Sequence, residues 1–146
     1  MKLQVYLNFE GQAEEAAIFY NEALNGSELQ VLKFGDLPAN PDHPLPEQYK
    51  NYVMHTEVRS NDFVIQISDV IPGMTPVALT KGNNMSVTLI FNSDKEITET
   101  FNKLSEGGTV IMPLEKTMWA EKYAYFVDKF GTPWQLNFPG DKVYGK

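Results

Sequence analysis

A histidine and a glutamate two residues apart form the most reactive pair of side chains in this sequence. His55 and Glu57 lie in segment 52–58, whose alternating pattern predicts a β-strand, and side chains two apart on a strand share a face. An imidazole beside a carboxylate can act as a general acid and base near neutral pH. We therefore predict His55 and Glu57 as catalytic residues. The alternative is a hydrogen-bonded histidine beside a solvated glutamate without a chemical role.

The next segment, 63–68, is predicted to pair with this strand as a hairpin. A four-residue turn would place Val58 opposite Phe63 and His55 opposite Gln66. Gln66 would then share the polar face with His55 and Glu57. The opposite face is mainly apolar and is expected to pack in the core, with Met54, Thr56, Val58, Phe63, Ile65 and Ile67.

The composition excludes several other kinds of chemistry. The 146-residue chain has a net charge of −7 and a single arginine, Arg59, which argues against sequence-independent nucleic-acid binding. Because the chain has no cysteine, it can form no disulfide, thiolate metal site or thiol nucleophile. The sequence shows neither a signal peptide nor an apolar run approaching the roughly 18 residues of a membrane span. We expect a cytoplasmic protein with no membrane or nucleic-acid partner.

The chain repeats one pattern at a constant offset of 82 residues (87 − 5). Val5, Leu7, Phe9, Glu14, Phe19 and Gly26 recur in type as Val87, Leu89, Phe91, Glu96, Phe101 and Gly108. The repeat covers a strand and a helix, which indicates two copies of one structural module.

Each half is predicted to contain a strand, a helix and three further strands. In the first half, strands near 3–9, 29–34, 52–58 and 63–68 accompany a helix over 12–25 that ends at Gly26. In the second half, a strand at 86–91 precedes a helix beginning at Ser93, and the last strands lie near 123–128 and 134–138. An offset of 69 (135 − 66) aligns Gln66 with Gln135 and Val58 with Val127, which would put Val127 and Trp134 on the helix-packing face. The predicted fold is a single α+β domain, 1–146, of two βαβββ modules at about 1–70 and 85–140, with a linker at about 70–84.

Several motifs along this pattern resemble the vicinal-oxygen-chelate superfamily, and its PhnB-like branch in particular. They are Tyr6–Gly11, Phe19-Tyr20, Val53–His55, Ser68-Asp69, Met112–Leu114, Trp119 and Asp128–Trp134. The superfamily includes glyoxalase I, extradiol dioxygenases, fosfomycin-resistance enzymes and bleomycin-binding proteins. The resemblance implies a glyoxalase-like fold, in which two modules form a curled mixed sheet around a cavity, and a homodimer.

The resemblance also implies where a divalent metal would be held. Metal ligands of the superfamily correspond to Gln4, Gln66, Ser86 and Gln135 in this sequence. Three amides and a hydroxyl offer neither the negative charge nor the imidazole that divalent metals prefer. We therefore expect no catalytic metal and predict no cofactor, while weak binding of a divalent metal stays open.

The sequence favours small-molecule binding without assigning a specific reaction. The predicted cavity-lining residues are Gln4, Tyr6, His55, Gln66, Ser86, Trp119 and Gln135. Trp119 could stack on a ligand, although a role in the core or in a dimer contact is the alternative. One alternative function is a lyase, isomerase or dioxygenase that uses His55 and Glu57, with or without a weak metal. Another is an antibiotic-sequestering resistance protein. Relatives in this branch are sometimes called ubiquinone-pathway methyltransferases, but the sequence has no glycine-rich strand-to-helix loop of the methyl-donor type.

Overall fold

The computed structural model describes residues 1–142 and divides the chain into two compact units. The first unit is Met1–Thr80 and the second begins at Lys81, so the boundary falls within the predicted linker. Within the described residues, no helix has the length and apolar character needed to cross a membrane.

The first module is a four-stranded mixed sheet with one helix. Its elements are β1 (Val5–Phe9), α1 (Ala13–Ala23), β2 (Val31–Lys33), β3 (Val53–Arg59) and β4 (Val64–Asp69), in the sheet order β1-β4-β3-β2. β1 runs parallel to β4, while the other neighbours are antiparallel. The proline-rich stretch between β2 and β3 contains only two short 3-10 turns, Phe34–Asp36 and Glu47–Tyr49.

The second module repeats this topology. Its elements are β5 (Val87–Ile90), α2 (Asp94–Leu104), β6 (Thr109–Glu115), β7 (Lys122–Val127) and β8 (Pro133–Phe138), in the order β5-β8-β7-β6. Val5 lies opposite Ile65 in the first module, and Val87 lies opposite Trp134 in the second. The offset of 82 therefore holds between β1 and β5, and the offset of 69 holds between β4 and β8. The predicted α+β class with two βαβββ modules is confirmed.

In each module the helix packs on one face of its own sheet. Alanine dominates the buried side of α1, where Ala13, Ala16, Ala17 and Ala23 let the helix approach β3 and β4 closely. In the second module, α2 packs on β7 and β8 over the fully buried Trp134 and Phe126. Because side chains alternate along a strand, the remaining positions of each sheet face away from the helix.

In each module, one buried carboxylate accepts hydrogen bonds from N–H groups of the connecting loops and the adjoining elements. Asp69 accepts hydrogen bonds from the backbone N–H of Ala13 (3.1 Å) and of Val53 (2.9 Å), so it caps α1 and holds the start of β3. Asp128 accepts from the N–H of Phe130 (2.8 Å), the N–H of Thr132 (3.0 Å) and the indole N–H of Trp134 (2.8 Å). Each carboxylate thereby gives a hydrogen-bond acceptor to N–H groups that are buried away from water.

The predicted register of the β3–β4 hairpin is wrong by two residues. Val58 lies opposite Ile65 and Glu57 lies opposite Gln66, because the four-residue turn comprises residues 60–63 and so begins one residue later than predicted. An even shift preserves which side chains share a face, so Glu57 and Gln66 still lie together. Met54 does not join the core as predicted. It is the extra residue where β3 bulges against β2, and 38% of its surface is exposed.

Three further expectations differ from the structure. Leu3 is 98% exposed because β1 begins only at Val5. The turn after α1 is made by Asn25, with φ = 51°, rather than by Gly26. Phe126, and not Val127 as predicted, lies opposite Trp134, while Val127 lies opposite Pro133. The reason is that the β7–β8 turn is one residue longer than the β3–β4 turn: the paired residues Phe126 and Trp134 are 8 apart in sequence (134 − 126), whereas Val58 and Ile65 are 7 apart (65 − 58).

Candidate functional site

Glu57 is the centre of a polar cluster on the first sheet, on the face opposite α1. Its Oε1 lies 3.5 Å from Nε2 of His55 and accepts a 3.4 Å hydrogen bond from Nε2 of Gln66, while Oε2 pairs with the guanidinium of Arg59. Gln66 Nε2 also donates to Oε1 of Gln4 at 3.0 Å. The structure thus brings together four residues predicted from the sequence and adds Arg59, at the end of β3. We call these five residues the Glu57 cluster.

The surroundings of Glu57 favour its ionised form. The hydrogen bond from Arg59 lowers the pKa of the Glu57 carboxyl, and partial burial opposes this effect without cancelling it. Hydrogen bonds from Gln66 and His55 lower the pKa further. At neutral pH the cluster therefore contains a carboxylate that can accept a proton or a hydrogen bond. Tyr6, with 47% of its surface exposed, lies beside the cluster, its ring centroid 6.3 Å from that of His55.

A cleft of about 750 Å³ opens beside this cluster within the first module. Residues of β2 and the stretch before it line the cleft together with His55, Glu57 and Arg59 of β3. Glu28 adds a second carboxylate, and Leu32 adds an apolar side chain that is 40% exposed. The cleft falls within the size range of small-molecule sites, about 300–1,000 Å³.

The corresponding face of the second module carries an uncharged network. The hydroxyl of Tyr123 donates to Oε1 of Gln135 at 2.9 Å, and Nε2 of Gln135 donates to Oγ of Ser86 at 2.7 Å. Burial raises the pKa of the Tyr123 hydroxyl, with a smaller contribution from Tyr125. The hydroxyl therefore stays protonated and remains a hydrogen-bond donor. The structure brings Ser86 and Gln135 together as predicted.

Trp119 lies beside this network at the tip of a short loop. Its ring meets the ring of Tyr123 edge to face, with centroids 5.4 Å apart and an interplanar angle of 72°. Trp119 is 36% exposed, whereas Trp134 is fully buried. The prediction of Trp119 as a ligand-contacting residue stays a prediction.

The four positions implied for a divalent metal do not fit one. Gln4 is joined to Gln66, and Ser86 is joined to Gln135, by the hydrogen bonds given above. These side chains supply no negative charge, and Glu57, the carboxylate that accepts a hydrogen bond from Gln66, is already paired with Arg59. Within residues 1–142, no group of three or more His, Asp or Glu side chains is arranged to hold a metal ion.

Sequence reasoning missed two parts of the site. The predicted four-residue turn includes Arg59, whereas in the structure β3 continues to Arg59, which lies two residues after Glu57 and so shares its face. The predicted strand at 29–34 covers only part of the cleft-lining stretch, whose contribution to the cleft depends on pairing between β2 and β3. His55 and Glu57 are close together as predicted, and their catalytic role stays a prediction.

A family profile described as 3-demethylubiquinone-9 3-methyltransferase matches residues 1–137 of the chain. The chain belongs to this family. Protein PA1353 from Pseudomonas aeruginosa is 36% identical, with a TM-score of 0.79 over 96% of this chain and 100% of that one. The match is continuous through both modules, so the family assignment applies to the whole duplicated fold.

Two further solved structures place the fold in a wider group. The PhnB protein from Bacillus cereus is 24% identical, with a TM-score of 0.68 over 94% of this chain and 99% of that one. A glyoxalase-related enzyme from Fulvimarina pelagi is 16% identical, with a TM-score of 0.60 over the full length of both chains. These two structures share the fold of this chain, in agreement with the glyoxalase-like fold that its motifs imply. No specific reaction follows from membership, because one fold supports many activities.

Proposed function

We propose that this protein binds a small organic molecule in the cleft of its first module. The observation that carries the proposal is the cleft of about 750 Å³ with His55, Glu57 and Arg59 on its wall. These groups supply an imidazole, a carboxylate and a guanidinium, so a polar ligand could find both donors and acceptors. Leu32 and the stem of Arg59 add apolar contact, which small-molecule sites also require.

A ligand screen by thermal shift, run with and without divalent ions, tests this proposal. Compounds that raise the melting temperature are then titrated against Glu57→Gln, and we expect affinity to fall about tenfold because a charged hydrogen-bond acceptor is lost. Glu99→Gln is the matched control, since it removes the same charge from an exposed position on α2. Hits that bind Glu57→Gln as tightly as the wild type would place the ligand elsewhere.

Acid–base catalysis is a second candidate, favoured by the 3.5 Å separation of His55 Nε2 and Glu57 Oε1. In this role His55 would move a proton to or from a bound substrate while Glu57 orients the ring. The test is proton exchange: a screening hit with an acidic C–H is incubated in D2O and followed by NMR. Deuterium incorporation that stops in His55→Gln supports a lyase or isomerase. Incorporation at the uncatalysed rate in the wild type would exclude this role for that ligand.

Methyl transfer, the activity in the family's name, is not our proposal. A methyl-donor cofactor of the common type binds at a glycine-rich strand-to-helix loop. The β1–α1 connection contains one glycine, Gly11, and the β5–α2 connection contains none. The predicted cytoplasmic location, homodimer, shared cavity and antibiotic sequestration stay predictions.

A further inference from the structure

The loop that displays Trp119 is held firmly from several sides. Thr117 and Ala120 are joined by two hydrogen bonds, from Thr117 N to Ala120 O and from Ala120 N to Thr117 Oγ1, both 3.0 Å. Nζ of Lys142 donates to the carbonyl oxygens of both residues. Ala120 is fully buried, and Lys116 pairs with Glu121 at 3.0 Å. The backbone around Trp119 is therefore fixed before any ligand arrives.

Large apolar side chains nevertheless project from this fixed loop. Met118 is 81% exposed and Trp119 is 36% exposed. The exposed part of these apolar side chains contributes no hydrophobic stabilisation to folding, because it is not removed from water. Side chains on a rigid loop also lose little further conformational freedom when a ligand binds. Such an arrangement favours binding and contributes little to folding.

The side chain that meets the Trp119 ring belongs to an aromatic, uncharged network. Tyr123 is fixed by its hydrogen bond to Gln135, which is fixed in turn by Ser86. The two rings already meet edge to face, and a third ring can join such a pair by offset stacking or by another edge-to-face contact. The charged groups are paired at the base of the loop, where Glu121 lies 3.0 Å from Lys116 Nζ and 3.8 Å from Lys142 Nζ.

We propose that Trp119, Tyr123 and Met118 form a binding site for an uncharged, planar aromatic group of a small molecule. The exposed surface of Met118 and Trp119 is on the order of a few hundred Å², below the ~800 Å² per partner of a stable protein interface. A small molecule therefore suits the site better than a protein does. The site lies in the second module, so its failure would leave the cleft proposal unaffected.

The two tryptophans of the chain allow a direct test by NMR. Each gives one indole N–H resonance, and Trp119→Leu identifies which is which. We expect 2-naphthol to shift the Trp119 resonance saturably, with a dissociation constant of the order of 1 mM, while the Trp134 resonance stays still. Decahydro-2-naphthol has the same skeleton without planarity and should bind at least about fivefold more weakly.

Binding of 2-naphthol to variants is measured by saturation-transfer NMR, which is observed on the ligand. Trp119→Leu should weaken 2-naphthol binding about tenfold. Ile18→Ala, which trims another exposed apolar side chain, on α1, should leave binding unchanged. Three results would overturn the proposal: no shift of the Trp119 resonance, equal binding of the saturated analogue, or a Trp119 resonance that moves with protein concentration alone. The last result would show that a second copy of the chain covers this surface.

Discussion

The two modules share one topology, but their sheets carry different chemistry on the face opposite the helix. In the first module, Glu57 lies opposite Gln66 and is surrounded by Arg59 and His55. In the second, Tyr125 lies opposite Gln135, and every hydrogen bond of the network described above joins uncharged groups. The difference shows that the apolar face determines the fold, while the polar face can change without altering the strand order. Charged chemistry is therefore expected from one module only.

The largest effect on stability is expected from removing the Asp128 carboxylate of the second module. Asp128→Ala deprives three buried donors of their acceptor beside Trp134, and should lower the free energy of unfolding by about 3 kcal/mol. Chemical denaturation measures the loss. Asp62→Ala, on the exposed β3–β4 turn, is the control and should change stability by less than about 0.5 kcal/mol. Equal losses for the two variants would contradict the role given to Asp128.

The next largest effect is a gain of metal binding, which tests whether the first module lacks a metal site only because of its ligand types. Gln4→His combined with Gln66→Glu supplies an imidazole and a carboxylate where two amides now bond to each other. We expect Ni²⁺ or Zn²⁺ to bind at least about tenfold more tightly than to the wild type, as measured by calorimetry. Gln48→Glu, at an exposed position, controls for added charge. Tight, stoichiometric binding by the wild type would refute our account of these positions.

Replacing each glutamine by leucine separates the two networks. Gln135→Leu leaves Tyr123 and Ser86 without their shared partner and should cost about 1–2 kcal/mol of stability. Gln66→Leu should cost less, about 0.5–1 kcal/mol, because Glu57 keeps its bond to Arg59. Thermal unfolding of both variants gives the ranking. The reverse order would mean that Gln66 supports the first module more than its contacts suggest.

The smallest expected effect is a dependence of stability on pH that arises from the first module. The pKa of Glu57 is lowered in the folded state, so its ionised form adds stability above the ordinary value of 4.5. That contribution is lost as the pH falls below 4.5 through the lowered folded pKa. For a partly exposed ion pair it should stay below about 1 kcal/mol. Carboxyl NMR titration gives the pKa, and Arg59→Gln should move it toward 4.5. An unchanged pKa in that variant would exclude the guanidinium as the cause.

Much of the fold could be predicted from the sequence because both kinds of element carry regular patterns. The alanine stripe of α1 and the serine cap of α2 gave helix positions within a few residues. β6 was implied only by the repeat, because Pro113 and two shifts of its pairing with β7 hide the alternation. The position of the β3–β4 turn and the length of the β7–β8 turn were also hidden, and with them the residue opposite each glutamine.

The candidate site was predictable in its residue types but not in its contacts. The prediction that Gln66 and Glu57 share one face is correct, because a register error of two residues leaves every side chain on the same face of its strand. The cleft and the pairing of Arg59 depend on neighbouring strands, which no local pattern specifies. Asp128 and Trp134, which belong to the strongest family motif, prove to be fold-stabilising neighbours. This explains why the resemblance predicts architecture better than chemistry.

The extra residue between β7 and β8 illustrates how a duplicated protein can diversify. Inserted within a strand, one residue would turn every later side chain over and bring polar groups into the core. Placed in the turn, it leaves the strands paired as in the first module, so Tyr125 lies opposite Gln135 where Glu57 lies opposite Gln66. For protein engineers, these turns are therefore positions where a residue can be added while strand pairing and the hydrophobic interior stay intact.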